Sequence, residues 1–291
     1  MITQKTSLDL NHIPVMLNEV IEICSEKKEG NFLDCTFGGG GYTRKILNLL
    51  NTKVTGIDRD NYVINIAKKI KKDFPERFNF YHEKFSNLNK IIKKKKFDII
   101  IFDLGISSFQ IHDLSRGFSF KSKSKLDMSM GLSSVSAEHV INNYDEKDLK
   151  SILKIFGEED EASKIVRNIL KKRNIKKITT VNELVEIIEA SKKKNYKKKI
   201  NVSTKTFQAL RIFVNKEISE LIKGLIQATK LLKPGGKLIT VSFHSIEDKI
   251  IKFYFKNYSS NKSNPSRYVP ENKENNKSLF EGYKNKIKKA T

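Results

Sequence analysis

The chain has 291 residues, of which 38% are hydrophobic, so it can build a sizeable core and wholesale disorder is excluded. Its 56 basic residues outnumber 33 acidic ones, and the net charge of +23 predicts a polyanionic partner, with nucleic acid ahead of an anionic membrane surface. Two cysteines, Cys24 and Cys35, exclude a disulfide framework, and no Cys/His cluster predicts a metal. With no signal peptide and no long apolar run, we expect a cytoplasmic protein that does not span a membrane.

In the first third of the chain, β-rich runs alternate with helical patterns. The expected elements are strands at 31–37, 53–58, 77–80 and 97–104 and helices at 42–50 and 61–72. The run Phe97–Leu104 is continuously apolar, as in a parallel strand that is covered on both faces. This succession predicts an α/β sheet.

No strand is expected between 110 and 215, where a Ser-, Gly- and Lys-rich loop precedes several helices. The α/β pattern then resumes with a helix at 216–232, a Pro-Gly-Gly turn at 234–236, a strand at 237–243 and a helix at 247–256. We therefore predict one α/β domain formed by residues 1–110 and 215–258. It is interrupted by a loop and an all-helical insertion at 111–214, and a basic tail at 259–291 is expected to be mobile.

The segment Asp34–Gly41 joins a predicted strand to a predicted helix and ends in four glycines. Glycines such as Gly38 and Gly40 let the backbone adopt positive φ and approach a ligand closely, and the following helix offers free N–H groups. Asp58 ends the next strand, where a carboxylate can accept hydrogen bonds from both hydroxyls of a ribose. The alternative is a tight glycine turn that binds nothing.

Two cofactors use such a loop. Dinucleotides favour a pyrophosphate-binding GxGxxG pattern, whereas the charged ammonium of S-adenosylmethionine favours an acidic residue beside the glycines. Asp34 supplies that residue, so S-adenosylmethionine is the favoured cofactor.

Asp103 ends the last predicted strand of the first third, at the edge where open α/β sheets bind ligands. An amine whose lone pair is delocalised into a ring needs a strong hydrogen-bond acceptor to become nucleophilic, and Asp103 can provide one. It can equally be a cofactor contact or a loop cap, and these roles are compatible.

Two further groups are candidates for binding a nucleic acid. Phe118 and Phe120 lie beside Arg116 in a polar loop and, if exposed, could stack bases; a small core within the loop is the favoured alternative. His244 leaves the strand at 237–243 on the ligand side and can donate to a base or phosphate, although a lone His is more often structural.

Several ordered blocks resemble one family, the bacterial small-subunit rRNA cytosine-N4 methyltransferases (RsmH/MraW). The resemblance covers about residues 12–256. The blocks are His12–Leu17, Asp34–Gly41, Asp58–Asp60, Asp103–Ser108, Arg116–Phe120, Leu126–Met128, Thr206–Ala209 and Ser242–Asp248.

The resemblance implies a class I S-adenosylmethionine-dependent methyltransferase, with a Rossmann-like sheet and an inserted all-helical domain. The implied substrate is the N4 amino group of a cytosine in the 16S rRNA of the 30S subunit. Asp103 and His244 are the expected catalytic residues. The resemblance implies cofactor contacts by Gly40, Gly41, Tyr42, Asp58, Phe85, Asp103 and Gln110. The glycine loop adds Asp34 and Gly38 to the expected contacts. The expected RNA contacts are Arg116, Phe118, Phe120, Asp127 and Ser245.

The sequence departs from the family pattern at several positions. Tyr42 replaces a common His, while Ser129 and Asp160 replace usual arginines. The family's arginine-bearing C-terminal strand is not recognisable. The lysines at 192–194 and 197–199 are a predicted electrostatic RNA surface, with a solvated linker as the alternative.

Two other functions remain open. A DNA amino-methyltransferase would carry an (Asp/Ser/Asn)-Pro-Pro-(Tyr/Phe) motif after the strand at 97–104, and Asp103–Ile106 lacks it. A non-catalytic ribosome-assembly factor could keep the fold for RNA binding, although the glycine loop followed by Asp58 argues against this.

Overall fold

A computed structural model describes residues 14–27, 29–192, 201–259 and 279–281. Its centre is a five-stranded, wholly parallel sheet with strand order β3-β2-β1-β4-β5. The strands are β1 (Gly30–Asp34), β2 (Thr52–Asp58), β3 (Phe78–His82), β4 (Phe97–Asp103) and β5 (Leu232–Val241). The predicted α/β sheet is therefore confirmed.

Helices cover both faces of this sheet and build the insertion. They are α1 (Leu17–Ser25), α2 (Gly41–Leu47), α3 (Ile64–Asp73), α4 (Leu88–Ile91), α5 (Ser108–His112), α6 (Ala137–Asn143), α7 (Glu146–Gly157), α8 (Ala162–Ile175), α9 (Val181–Ser191), α10 (Thr204–Asn215), α11 (Glu217–Leu231) and α12 (Ser245–Tyr258). Within the described ranges, no helix is long and apolar enough to cross a bilayer.

Strand β4 is buried on both faces, as its apolar run predicts. Ile99 and Ile101 pack into a core with α1, α2 and α3, whereas Ile100 and Phe102 pack into a core with α4, α11 and α12. Successive side chains of a strand point to opposite faces, so one apolar run joins two cores. The result is a three-layer α/β domain.

The insertion lies between β4 and β5 and has its own core, to which α6–α10 contribute. Over its described residues it contains no strand beyond an isolated bridge from Lys125 to Thr180, which confirms the helical prediction. Thr180 and Glu183 form a capping box at the start of α9.

We propose the predicted domain boundaries, which are 111–214 for the loop and insertion and 259–291 for the tail. Most of the tail lies outside the described residues.

The predicted turn at 234–236 is wrong in one respect, because these residues lie within β5. Phe97 pairs with Leu232 and Ile99 pairs with Lys237, so β5 has extra residues between two pairings. Gly235 has φ of 70°, a conformation that glycine adopts readily, and it lies among these extra residues. Pro-Gly-Gly here forms a bulge that lets the strand begin earlier.

Because all five strands are parallel, their carboxyl ends lie along one edge. Asp34, Asp58 and Asp103 end β1, β2 and β4, which are adjacent strands in the order β2-β1-β4. In open α/β sheets, ligands bind outside this edge. The fold therefore brings three predicted site carboxyl groups together.

Candidate active site

The glycine loop requires glycine for two different reasons. Gly40 has φ of 74°, and a Cβ there would lie 2.7 Å from Ile70 Cδ1. Gly38 has φ of 50° but space around it, since the nearest atom to an added Cβ is 3.7 Å away. Packing and conformation constrain Gly40, whereas at Gly38 the left-handed backbone alone favours glycine.

Asp58 holds this loop against the end of β2. Its Oδ2 accepts the Gly38 N–H at 2.8 Å, and its Oδ1 accepts the Asp60 N–H at 2.9 Å. Burial raises the pKa of Asp58 to about 6. Each carboxylate oxygen has two lone pairs, so both can still accept a ribose hydroxyl. The ribose contact stays a prediction that this geometry permits.

Asp34 is buried and accepts one hydrogen bond from the protein at each carboxyl oxygen. Thr43 Oγ1 donates to its Oδ2 at 2.7 Å and the Thr36 N–H donates to its Oδ1 at 3.3 Å. Burial raises its pKa to about 6. Asp34 thus ties β1 to α2, and its predicted contact with a ligand ammonium stays a prediction.

Asp103 differs from the other two carboxyl groups because it has an unused oxygen. Its backbone N–H donates to Thr36 Oγ1 at 2.7 Å, but its Oδ1 is buried without a hydrogen-bond partner among the described residues. Burial raises its pKa to about 7, and the nearby charges of Asp34 and Glu247 act in the same direction. A buried unpaired acceptor costs free energy, and such atoms often mark ligand sites.

The predicted cofactor residues Tyr42 and Phe85 are both packed against neighbours. The Tyr42 hydroxyl donates to the Val15 carbonyl and its ring is buried, so the ring is not open to a ligand. Phe85 is half-buried, and its ring meets Phe102 edge-on at 5.3 Å between centroids. Gly41 begins α2. A cofactor contact by the Tyr42 ring is unsupported in this conformation, whereas the cofactor contacts of Phe85 and Gly41 stay predictions.

Arg116 is buried and paired within the protein. It is only 8% exposed, and its Nη1 donates to Asp60 Oδ2 at 2.6 Å. Its second Nη donates to the Ser129 carbonyl at 3.0 Å, and its guanidinium lies 4.6 Å from the centre of the Tyr62 ring. The charge of Arg116 is buried in an ion pair with Asp60, and its contact with RNA stays a prediction.

Phe118 and Phe120 also pack inwards. Phe118 is 7% exposed and belongs to the core of the insertion, and Phe120 is half-buried with its ring edge-on to Phe207. The favoured interpretation, a small core within the loop, therefore describes both rings. RNA contact by either ring is unsupported in this conformation.

The other two predicted RNA contacts keep polar atoms at or near the surface. Asp127 is half-buried and its Oδ2 accepts the Ser129 hydroxyl at 2.9 Å. Ser245 is exposed and its hydroxyl donates to Glu158 Oε2 at 3.1 Å, which joins the insertion to the start of α12. Both roles stay predictions.

His244 lies at the head of α12 within a charged cluster. Its Nδ1 accepts the Glu247 N–H at 3.4 Å. Its Nε2 lies 3.1 Å from Glu247 Oε1 but is buried without a well-directed hydrogen bond among the described residues. Glu217, whose pKa is raised by burial, completes a group with donor atoms suited to a divalent cation. Arg211 already neutralises Glu217 through two 3.0 Å hydrogen bonds.

Lys192, the first residue of the predicted lysine surface at 192–194 and 197–199, forms an ion pair within the protein. Lys192 Nζ lies 2.6 Å from Glu159 Oε2, and their side chains are 12% and 2% exposed. A buried partner of Glu159 cannot also belong to a solvent-exposed RNA surface. Residues 193–200 lie outside the described residues.

Sequence reasoning missed Asp60, which binds two of the predicted site residues. Its Oδ2 accepts from Gln110 Nε2 at 2.7 Å as well as from Arg116. Gln110 Oε1 accepts the Ser107 N–H at 2.9 Å, so the amide of this predicted cofactor contact has both ends bound. Asp60 lies in the block 58–60, and that position is the only signal that could have identified it.

Comparisons with known proteins identify the family of this chain. A model of the MraW methylase family matches residues 9–290. The chain is 42% identical to the ribosomal RNA small subunit methyltransferase H of Rickettsia prowazekii over 89% of this chain and 85% of that protein. The enzyme of the same name from Ehrlichia ruminantium is 42% identical over 87% and 85%.

A solved rRNA methylase from Streptococcus thermophilus aligns over 32% of this chain and 57% of its own, at 21% identity and a TM-score of 0.28. The family model covers the glycine loop, the three strand-end carboxyl groups, the insertion and α12 alike, and the two relatives match nearly the same length. From its first described helix to its last, this chain belongs to the MraW methylase family.

Proposed function

We propose that this chain transfers a methyl group from S-adenosylmethionine to the N4 amino group of a cytosine in the 16S rRNA of the small ribosomal subunit. Family membership and the names of the relatives support an rRNA methyltransferase. The observation that carries the chemistry is the buried Oδ1 of Asp103, which has no hydrogen-bond partner among the residues that the structure describes and lies at the sheet edge beside the glycine loop.

The residues at this edge fit S-adenosylmethionine. Asp58 can accept hydrogen bonds from the ribose hydroxyls, because the N–H groups bonded to its carboxylate leave further lone pairs on the two oxygens. Phe85 follows β3, where we propose that it contacts the adenine. The loop containing Gly38, Gly40 and Gly41 is hydrogen-bonded to Asp58 through the Gly38 N–H. When bound, S-adenosylmethionine supplies a methyl group on a positively charged sulfur.

Asp103 acts on the target amine. The lone pair of an exocyclic cytosine amine is delocalised into the ring, and accepting its N–H at Asp103 Oδ1 makes the nitrogen more nucleophilic. The nitrogen gains a methyl group and loses a proton, and a carboxylate whose pKa is about 7 can accept that proton at neutral pH. Reaction also requires the nitrogen to be held about 3–3.5 Å from the methyl carbon.

His244 holds the target base in this proposal. The preceding strand, β5, pairs with β4 so that Val241 lies opposite Asp103, and His244 follows three residues later as the N-cap of α12. Its Nε2 lies 3.1 Å from Glu247 Oε1 but has no well-directed hydrogen bond within the described part of the chain, so we propose that it bonds to a base or phosphate of the RNA. The small-subunit substrate also implies a cytoplasmic location for the protein.

Transfer of labelled methyl tests the substrate class. The protein is incubated with labelled S-adenosylmethionine and, separately, 30S particles lacking the modification, naked 16S rRNA and duplex DNA. We expect label in the RNA of the 30S particles and none in DNA. Label in DNA would support the amino-methyltransferase of DNA, and no label in any substrate would support a non-catalytic assembly factor.

The pKa values of the site predict how cofactor binding depends on pH. Burial raises the pKa of Asp34 and Asp58 to about 6 and that of Asp103 to about 7. The positively charged cofactor favours the ionised carboxylates, so its affinity should rise between about pH 5 and pH 8. Calorimetry across this range measures the change, and an affinity independent of pH would contradict it.

The stability of the ligand-free protein should change in the opposite direction. A raised carboxyl pKa means that the folded protein binds more protons than the unfolded chain between the ordinary value and the folded value. The contribution of these groups to the free energy of unfolding therefore falls as pH rises from about 4 to about 7. Chemical denaturation with and without cofactor separates the two effects.

A further inference from the structure

Asp60 lies at the centre of a buried polar network that links two parts of the candidate site. It is 3% exposed, and its Oδ2 accepts from both Gln110 Nε2 at 2.7 Å and Arg116 Nη1 at 2.6 Å. Its Oδ1 accepts the Tyr62 N–H at 3.1 Å. A buried carboxylate with an ion pair and further donors on both oxygens is geometrically well determined.

The same residue also contacts the predicted ribose carboxylate. The Asp60 backbone N–H donates to Asp58 Oδ1, while its side chain fixes the amide of Gln110, a predicted cofactor contact. The Gln110 Oε1 is held by the Ser107 N–H. With both ends of the amide bound, the orientation of Gln110 depends on Asp60.

Through Arg116, Asp60 reaches the loop that precedes the insertion. Arg116 Nη2 donates to the Ser129 carbonyl, and the Arg116 carbonyl accepts the Met128 N–H at 3.0 Å. Arg116 thus joins the start of this loop to the segment around Ser129. One carboxyl oxygen of Asp60 therefore accepts hydrogen bonds from both Gln110 and Arg116.

We infer that Asp60 is a positioning residue that sets the cofactor side of the site through Gln110 and the substrate loop through Arg116. The inference rests on the proposed function, since it takes Gln110 as a cofactor contact and the loop as part of the RNA-binding side. Arg116 accordingly acts as an internal anchor of the loop rather than as a direct RNA contact.

The substitution Asp60→Asn tests this role because it keeps the size of the side chain and removes its charge. If the Asn oxygen accepts from Gln110 and Arg116, its NH2 group faces the Tyr62 N–H, which is also a donor. In the other orientation the NH2 group faces the two donors of Gln110 and Arg116, so one contact is lost either way. We expect S-adenosylmethionine affinity and single-turnover transfer at saturating cofactor each to fall about tenfold.

Two double-mutant cycles separate positioning from a general loss of structure. Adding Asp60→Asn to Gln110→Met should change cofactor affinity by less than about twofold, because its route to the cofactor is already removed. Adding Asp60→Asn to Arg116→Met should leave transfer at saturating cofactor within about twofold of Arg116→Met alone. In the Arg116→Met background, Asp60→Asn should still lower the affinity for S-adenosylmethionine about tenfold, because Gln110 is unchanged.

The double variant Asp60→Asn/Arg116→Met also guards against a folding defect. Asp60→Asn alone leaves a buried arginine without its counter-ion, whereas the double variant removes both charges and should melt at a higher temperature. Asp113→Asn is the matched control, since it makes the same change in the loop that carries Arg116, at a turn where Asn can replace Asp as a cap. It should leave both readouts unchanged.

Additive losses in both cycles would overturn the inference, because a general structural defect acts in every background. The cofactor cycle needs no RNA. If the unmodified protein transfers no methyl to rRNA, the proposed function fails, and the affinity cycle still decides whether Asp60 positions Gln110.

Discussion

Replacing Asp103 by Asn is expected to lower the single-turnover rate of methyl transfer by about 10²–10⁴, the usual range for acid–base groups. The substitution keeps the size of the side chain but places an NH2 donor where the target amine itself donates. The orphaned Oδ1 of Asp103 and its pKa of about 7 are the observations behind this expectation. Cofactor affinity should fall much less, because Asp58 and the glycine loop remain.

The measurement is transfer to unmethylated 30S particles with both ligands saturating. Asp98→Asn is a matched control, since it makes the same change at the other end of β4, where Asp98 pairs with Lys233. His244→Ala should weaken RNA binding or transfer while cofactor affinity is preserved. Near-normal transfer by Asp103→Asn would make Asp103 a cofactor or structural residue and leave backbone carbonyls of residues 104–107 as the acceptor.

The second large effect concerns Asp58. Asp58→Ala removes the proposed bonds to the ribose and also frees the N–H groups of Gly38 and Asp60, which it holds in the ligand-free protein. Charge-assisted hydrogen bonds of this kind contribute about 1.5–3 kcal/mol, which corresponds to about 10–100-fold in cofactor affinity.

Calorimetry with S-adenosylmethionine measures this loss directly. Asp73→Ala, at the exposed end of α3 with only a 3.6 Å contact to Arg44, is the control and should bind normally. A folded Asp58→Ala protein with unchanged affinity would exclude Asp58 as the ribose-binding residue.

Most of the sheet could be predicted because its signals are local. The apolar run at Phe97–Leu104 predicted a strand covered on both faces, and Ile99 and Ile100 indeed enter different cores. The Pro-Gly-Gly segment was harder, because the same residues suit a turn or a bulge. Only the pairing of Leu232 with Phe97 decides between a turn and a bulge, and these two residues lie far apart in the sequence.

The candidate site divides in the same way. Asp34, Asp58 and Asp103 could be identified because residues at the ends of parallel strands meet at one edge. The environment of Arg116 could not, since its partner Asp60 lies 56 residues away and no periodicity links them. For the same reason, sequence alone could not show that Lys192 is a buried partner of Glu159 rather than part of a solvent-exposed run.

The most direct test of the central claim is the identity of the methylated nucleoside. 16S rRNA from 30S particles treated with the protein and S-adenosylmethionine is digested to nucleosides and analysed by mass spectrometry against standards, with Asp103→Asn in parallel. We expect N4-methylcytidine from the unmodified protein and little or none from the variant at equal times. A methyl group on cytosine C5 or on another base would contradict the account, because neither requires an acceptor for an exocyclic cytosine amine at Asp103.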